Sequence, residues 1–80
     1  MFNWDDLNYF LTLSRTGKLN LASKKLKVES TTIARRVVRL ENKLNLELFT
    51  KSPKGYFLTE IGLELLKYVE RIENEVYGIN

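Results

Sequence analysis

Four cations share one face of the segment STTIARRVVRLENKL, Ser30 to Leu44. At about 100° per residue, the turn of a 3.6-residue helix, Thr31, Asn42, Arg35, Arg39, Thr32, Lys43 and Arg36 fall within roughly 140° of arc. No acid shares that arc, since Glu41 points elsewhere. A guanidinium offers a planar fork of donors that fits a phosphate or a guanine edge, and a threonine can bond phosphate or touch a thymine methyl. This face could grip a polyanion. The opposite arc carries Ile33, Val37, Leu40 and Leu44, a stripe for burial. Seen alone, such a helix is as readily a solvated surface stripe, so the rest of the chain has to decide.

The charge distribution favours the first alternative. Residues 1–57 hold eleven Lys and Arg against five acids, a net +6, whereas residues 58–80 hold two against five, a net −3. A basic body with an acidic tail suits a polyanionic partner. Other chemistry is poorly provided for. The chain has neither His nor Cys, so imidazole bases, thiolate nucleophiles and the commonest zinc ligands are missing. No catalytic residue, metal site or cofactor is expected, and no enzyme. No apolar run exceeds three residues, and the N-terminus MFNWDDLNYF is acidic, which fits neither a membrane span nor a secretory signal. A cytoplasmic domain is the expectation.

The 80 residues suit one domain with little core to spare. Four helices are predicted. The first starts near Asn3 or Asp5, carries Leu7, Phe10, Leu11 and Ser14 at i, i+3, i+4 and i+7, and ends at Gly17. The second starts at Asn20 and runs to about Lys27. The third is the basic segment, capped by Ser30 and stopped at Asn45, which tolerates the left-handed conformation. The fourth follows Thr59 and runs to about Tyr77, before Gly78. Between the last two, LELFT and YFLT read as short strands joined by Ser52-Pro53-Lys54-Gly55, a type I turn signature. Leu7, Phe10, Leu11, Ile33, Val37, Leu40 and Leu44 are the candidate core.

A short helix, a brief link and a longer basic helix have the order of a helix-turn-helix, and the hairpin after it would be a wing. Here the chain resembles the N-terminal DNA-binding domain of LysR-type bacterial transcription regulators. The resemblance runs from residue 4 to about 76. WDDLNYFLTLSRTGKLNLASKKLKV is similar to that family's first two helices. In ARRVVRLENKLNLELFTKSPKGYFLTEIG, Arg35, Leu40, Glu41, Leu44, Leu48, Phe49, Leu58, Thr59, Glu60 and Gly62 match its pattern by type and spacing. The resemblance implies a mainly α fold with a small β-hairpin: a winged helix-turn-helix over residues 1–58, then a long linker (dimerisation) helix over 59–80, stopping before any effector domain.

It also implies roles. The recognition helix, about residues 30–44, would enter the major groove of operator DNA, with base-reading positions at Ser30, Thr31, Thr32, Ala34 and Arg35. Arg36 and Arg39 join them from the helical face. The wing, about residues 46–58, would place Lys51 and Lys54 on adjacent backbone or in the minor groove. Glu29 and Ser30 stand where the family usually has Ser and Gln, Ala34 where it often has Ser, and Asn45 where it often has Gly. Glu29 would repel phosphate unless it accepts from a cytosine amino group or pairs with Lys25, while Glu41 is expected to pair locally.

The tail adds a further expectation. Gly62, Leu65, Val69, Ile72, Val76 and Ile79 are spaced 3, 4, 3, 4, 3, an a/d heptad pattern. Leu65, Val69, Ile72 and Val76 are therefore expected to form a homodimer seam, with higher assembly possible in a longer parent protein. A helical protein-interaction module without DNA readout, built on this acidic helix, is the alternative.

Overall fold

In the computed structural model, which describes residues 4–77 and side chains from 4 to 75, each of the first three helices ends at a residue of positive φ. Helix α1 spans Trp4–Thr16, α2 Leu19–Leu26 and α3 Ser30–Leu44. Gly17 (φ 75°), Lys27 (φ 57°) and Asn45 (φ 56°) follow them in turn. Gly and Asn suit that conformation, but a lysine there costs roughly 1–2 kcal/mol. Ser23 provides the compensation. Its carbonyl accepts from Lys27 N at 2.8 Å and Val28 N at 3.3 Å, and its hydroxyl donates to the Val28 carbonyl at 2.5 Å. One residue of α2 thus clasps the turn into α3.

Helix starts depart from the sequence reading. Lys18 and Glu29, not Asn20 and Ser30, are the N-caps of α2 and α3, and neither side chain caps. The expected cap Asn3 lies outside the described residues, and so do Gly78 and Ile79.

Strands β1, Phe49–Ser52, and β2, Gly55–Leu58, pair antiparallel. Phe49 faces Leu58, Thr50 faces Phe57, Lys51 faces Tyr56 and Ser52 faces Gly55. Tyr56 N turns away from β1 and donates to the Gly17 carbonyl at 2.7 Å, tying the hairpin to the turn between α1 and α2. The approach is so close that a Cβ on Gly55 would meet that carbonyl oxygen at 2.6 Å.

Phe10, Leu13, Ala22, Ile33, Val37, Leu40, Leu48 and Phe49 form one buried cluster. Phe49 sits at its hairpin side, tilted against Phe10 at 5.5 Å and edge-on to Tyr56 at 5.7 Å. Leu13, not among the candidate core residues, is fully buried, while Leu7 and Leu44 are only partly covered. Trp4 is exposed; of Tyr56 and Phe57, Phe57 is the exposed one.

Helix α4, Glu60–Tyr77, removes Val69 from the expected seam. Val69 is 2% exposed in the single chain, because α4 packs beside α1 and Arg15 reaches across to Glu70 at 3.2 Å and Glu73 at 3.1 Å. A Cβ on Gly62 would stand 2.2 Å from the Leu48 carbonyl oxygen, so Gly62 also faces its own chain. Leu65 packs partly against the core, Ile72 is half-buried, and the Val76 side chain lies outside those described.

The strained Lys27 gives a stability test. Lys27→Gly is expected to stabilise by about 1 kcal/mol, which raises the thermal midpoint by roughly 4–8 °C in a domain of this size. Melting followed by circular dichroism measures it. An unmoved or lowered midpoint would mean that the turn stores no strain.

Candidate nucleic-acid interface

The face of α3 that the sequence presents as four free cations is divided in two by a residue of α1. Asp6 is fully buried. Its Oδ1 accepts from Arg36 Nη1 and from Arg39 Nη2, each at 3.0 Å, and Oδ2 accepts from Arg39 Nη2 at 3.2 Å. Arg36 also lies over the Tyr9 ring, 5.5 Å from its centroid. Arg36 and Arg39 are therefore not loose cations, as the helical face alone suggested. They are pinned through one edge, with 28% and 48% of their side chains still exposed.

Burial by itself would raise the Asp6 carboxyl, but the hydrogen bonds and charges of Arg36 and Arg39 outweigh it and hold the group below its usual value. Arg36 moves up in turn, chiefly through its bond to Asp6. Sequence reasoning counted Asp6 only as a charge. A signal was present, since Asp6 stands at i, i+4 and i+7 with Phe10 and Leu13, in the middle of a buried stripe. A carboxylate there requires partners, and Arg36 and Arg39, three apart on the facing helix, supply them.

Arg35 has no such tie. It is exposed and forms no ion pair among the described residues. Beside it on the first turns of α3 are Ser30, Thr31, Thr32 and Ala34, of which Thr31 is exposed and the other three half-buried. Glu29 is exposed and makes no ion pair with Lys25.

The wing lies alongside. A groove of about 290 Å³ separates α3 from β1, with Ala34 and Val38 on one wall and Thr50 and Lys51 on the other. Lys51 Nζ sits over the Tyr56 ring at 5.9 Å. Lys54 occupies the turn, where its backbone N–H donates to Ser52 Oγ at 3.1 Å. That turn shares a second groove, about 360 Å³, with Lys18, Leu19 and Asn20 at the start of α2. The fold thus brings Lys51 beside α3 and Lys54 to the head of α2.

Glu41 fixes this arrangement. Its Oε2 accepts from Leu48 N at 2.7 Å and Phe49 N at 3.3 Å, the local role expected for it, with backbone amides in place of a cation.

A family described as bacterial regulatory helix-turn-helix protein, lysR family, matches residues 4–63. The Mau operon transcriptional activator of Paracoccus denitrificans is 53% identical over 47 residues, 59% of this chain and 17% of that protein. An HTH-type transcriptional regulator of Methanocaldococcus jannaschii is 31% identical over 95% of this chain and 29% of its own. The chain therefore spans well under a third of these relatives. Among solved structures, the CbnR DBD–DNA complex superposes with a TM-score of 0.88 at 31% identity, covering 96% of this chain and 87% of that one. Among the described residues no helix is long and apolar enough to cross a membrane.

The Asp6 cluster predicts how stability varies with acid. A carboxyl whose folded pKa lies below its unfolded value, about 3.9, stabilises the fold fully above that value. The contribution is lost as pH falls through the folded pKa. Asp6→Asn should cost on the order of 2–3 kcal/mol near neutral pH, less than orphaning a buried charge outright because both arginines can turn to solvent. Urea titrations at several pH values should show the gap between wild type and variant closing below about pH 4. A gap independent of pH would assign the loss to packing.

Proposed function

The chain belongs to the LysR family of bacterial regulatory helix-turn-helix proteins, and from that membership we propose that it binds double-stranded DNA sequence-specifically in transcription regulation. The observation that carries the proposal is Arg35, an exposed guanidinium on the first turns of α3 with no ion pair among the described residues, set among the hydroxyls of Ser30, Thr31 and Thr32. A recognition helix reads base edges with its N-terminal residues, and a free fork is suited to the O6 and N7 of guanine. Threonine methyls and hydroxyls complete a surface able to touch thymine or bond phosphate. Ala34 contributes a small apolar contact. Lys51 and Lys54 would follow the backbone or minor groove beside it, and Arg36 and Arg39 would use their remaining donors on phosphate. A regulator of this kind works in the cytoplasm, on the nucleoid.

Residues 1–58 form the DNA-binding unit in this reading, and α4 begins the linker through which two copies pair. Support comes from the apolar side chains that α4 leaves uncovered. Ile61 and Tyr68 are exposed, at 38% and 62%, and Leu65 and Ile72 are half-buried. Their spacing of 4, 3, 4 residues is that of a coiled-coil seam. This seam lies about 100° round the helix from Gly62 and Val69, which are used internally.

Selection from a random duplex library at several salt concentrations tests the reading. It should return a dyad-symmetric motif, with log affinity falling by about 0.9 per phosphate contacted for each log unit of salt. Arg35→Ala should cost roughly 1–3 kcal/mol and relax one base position, whereas Lys54→Ala should weaken all sequences about equally. A flat salt titration, or no enriched motif, would falsify DNA recognition.

Pairing through α4 is tested separately by Tyr68→Asp. Because Tyr68 is mostly exposed, the variant should fold with an unchanged circular dichroism spectrum. Sedimentation equilibrium should show the dimer weakened by at least about 1.5 kcal/mol, the burial lost with a large side chain. A variant that remains as dimeric as wild type places the interface elsewhere.

A further inference from the structure

We propose that Asp6 of α1 is a specificity-determining residue for DNA: it holds Arg36 and Arg39 as a pre-ordered phosphate clamp that sets the register in which Arg35 meets the bases. The inference rests on the DNA-binding reading above and extends it to a residue that touches no DNA.

The geometry supplies the reasoning. Asp6 takes one N–H from Arg36 through Nη1 and engages Arg39 through Nη2 alone. Each guanidinium has five donors, so most of both forks stays available, on side chains that remain partly exposed. Arg36 is steadied further by the Tyr9 ring. Two long side chains that would otherwise lose conformational freedom on binding have already lost it in the free protein, which is the advantage of preorganisation. Phosphate contacts fix register and orientation without reading sequence. A clamp anchored on the buried Asp6 carboxylate fixes register more sharply than two mobile arginines could.

Asp6 also sets the charge of the clamp. Two guanidinium cations and one carboxylate leave a single net positive charge, so the clamp attracts any duplex less than two free arginines would. Non-specific affinity is electrostatic and independent of sequence. Lowering the charge while keeping the forks in place therefore raises the ratio of specific to non-specific binding. Arg35, exposed and untied, keeps its full charge.

The test uses the whole chain and two probes, the duplex recovered by library selection and a random duplex of equal length. Wild type and Asp6→Asn are titrated with both, over a salt series in which circular dichroism shows each protein folded. The specificity ratio should fall by about tenfold, the span of one well-placed arginine contact. Random-duplex binding should be unchanged or tighter, and the salt slope steeper by up to about 0.9. A purely structural role lowers the folded fraction and so both affinities by the same factor, leaving the ratio intact. A ratio that is unchanged or raised overturns the proposal. Should Asp6→Asn not fold, Arg39→Lys decides, since it keeps the charge and loses the fork. There the ratio should fall with the slope unchanged, and an unchanged ratio overturns the proposal. If wild type itself fails to prefer the selected duplex, the DNA-binding reading fails and this inference with it.

Discussion

The position of the wing relative to α3 depends on three residues of backbone leading into β1, Glu47 to Phe49, gripped from both sides. From α3, the Glu41 carboxylate accepts the amides of Leu48 and Phe49. From the other side, Thr59 N donates to the Leu48 carbonyl at 3.0 Å, and the Thr59 hydroxyl donates to the Glu47 carbonyl at 2.6 Å. The same hydroxyl accepts from Gly62 N at 3.1 Å, so Thr59 is also the N-cap of α4. Gly62 lets that helix lie directly on the Leu48 carbonyl, where a Cβ has no room. Loop carbonyls and amides that would otherwise be buried without partners are satisfied here, and Leu48 and Phe49 are delivered to the core. A small domain cannot rely on a large apolar interior, and in this one the relative placement of elements is assigned to polar contacts of fixed length.

The charges follow a similar division. Asp6 joins α1 to α3, Arg15 joins α1 to α4, and Glu41 joins α3 to the hairpin. Each spans two elements, and Asp6 is buried and Glu41 partly so, which makes the loss of a partner costlier there than in an exposed pair. Arg35 and Lys54 carry no such structural duty and remain available. An outer face that is uniformly basic in sequence is therefore uneven in the folded chain, with pinned guanidinium groups beside free ones.

How much of this is legible in the sequence depends on whether a feature is local. The ends of α1 and α3 were readable from Gly17 and Asn45, and the hairpin turn from Ser52-Pro53-Lys54-Gly55, because backbone conformation at those points is set by the residue itself. The positions from Glu41 to Gly62 were recognisable as a pattern, and the grip on Glu47–Phe49 explains why the pattern needs an acid, a Thr and a Gly at those intervals. Features made between distant segments were not readable. Nothing local in WDDL distinguishes Asp5, which stays exposed, from Asp6, which is buried; only the stripe shared with Phe10 and Leu13 does. The starts of α2 and α3 were misplaced, by two residues and by one, because Lys18 and Glu29 hold the cap conformation without capping side chains, so the usual chemical signal is absent.

The heptad in α4 misassigned Val69 for a related reason, and the difference is informative. Apolar residues occupy a wide arc of this helix, from Tyr68 and Ile61 through Ile72 and Leu65 to Val69 and Leu66. A strict a/d seam is narrower than the stripe of a core-facing helix. When both purposes fall on one helix the two stripes merge, and periodicity cannot say where the first ends. Burial can. Val69 and Gly62 mark the inner edge, and the exposures of Ile61 and Tyr68 mark the outer one. Arg15, bonded to Glu70 and Glu73 on the α1 side of the helix, is consistent with that rotation of α4. The acidic character of the tail, read from composition as a contrast with the basic body, thus contributes two of its five acids to holding α4 against α1.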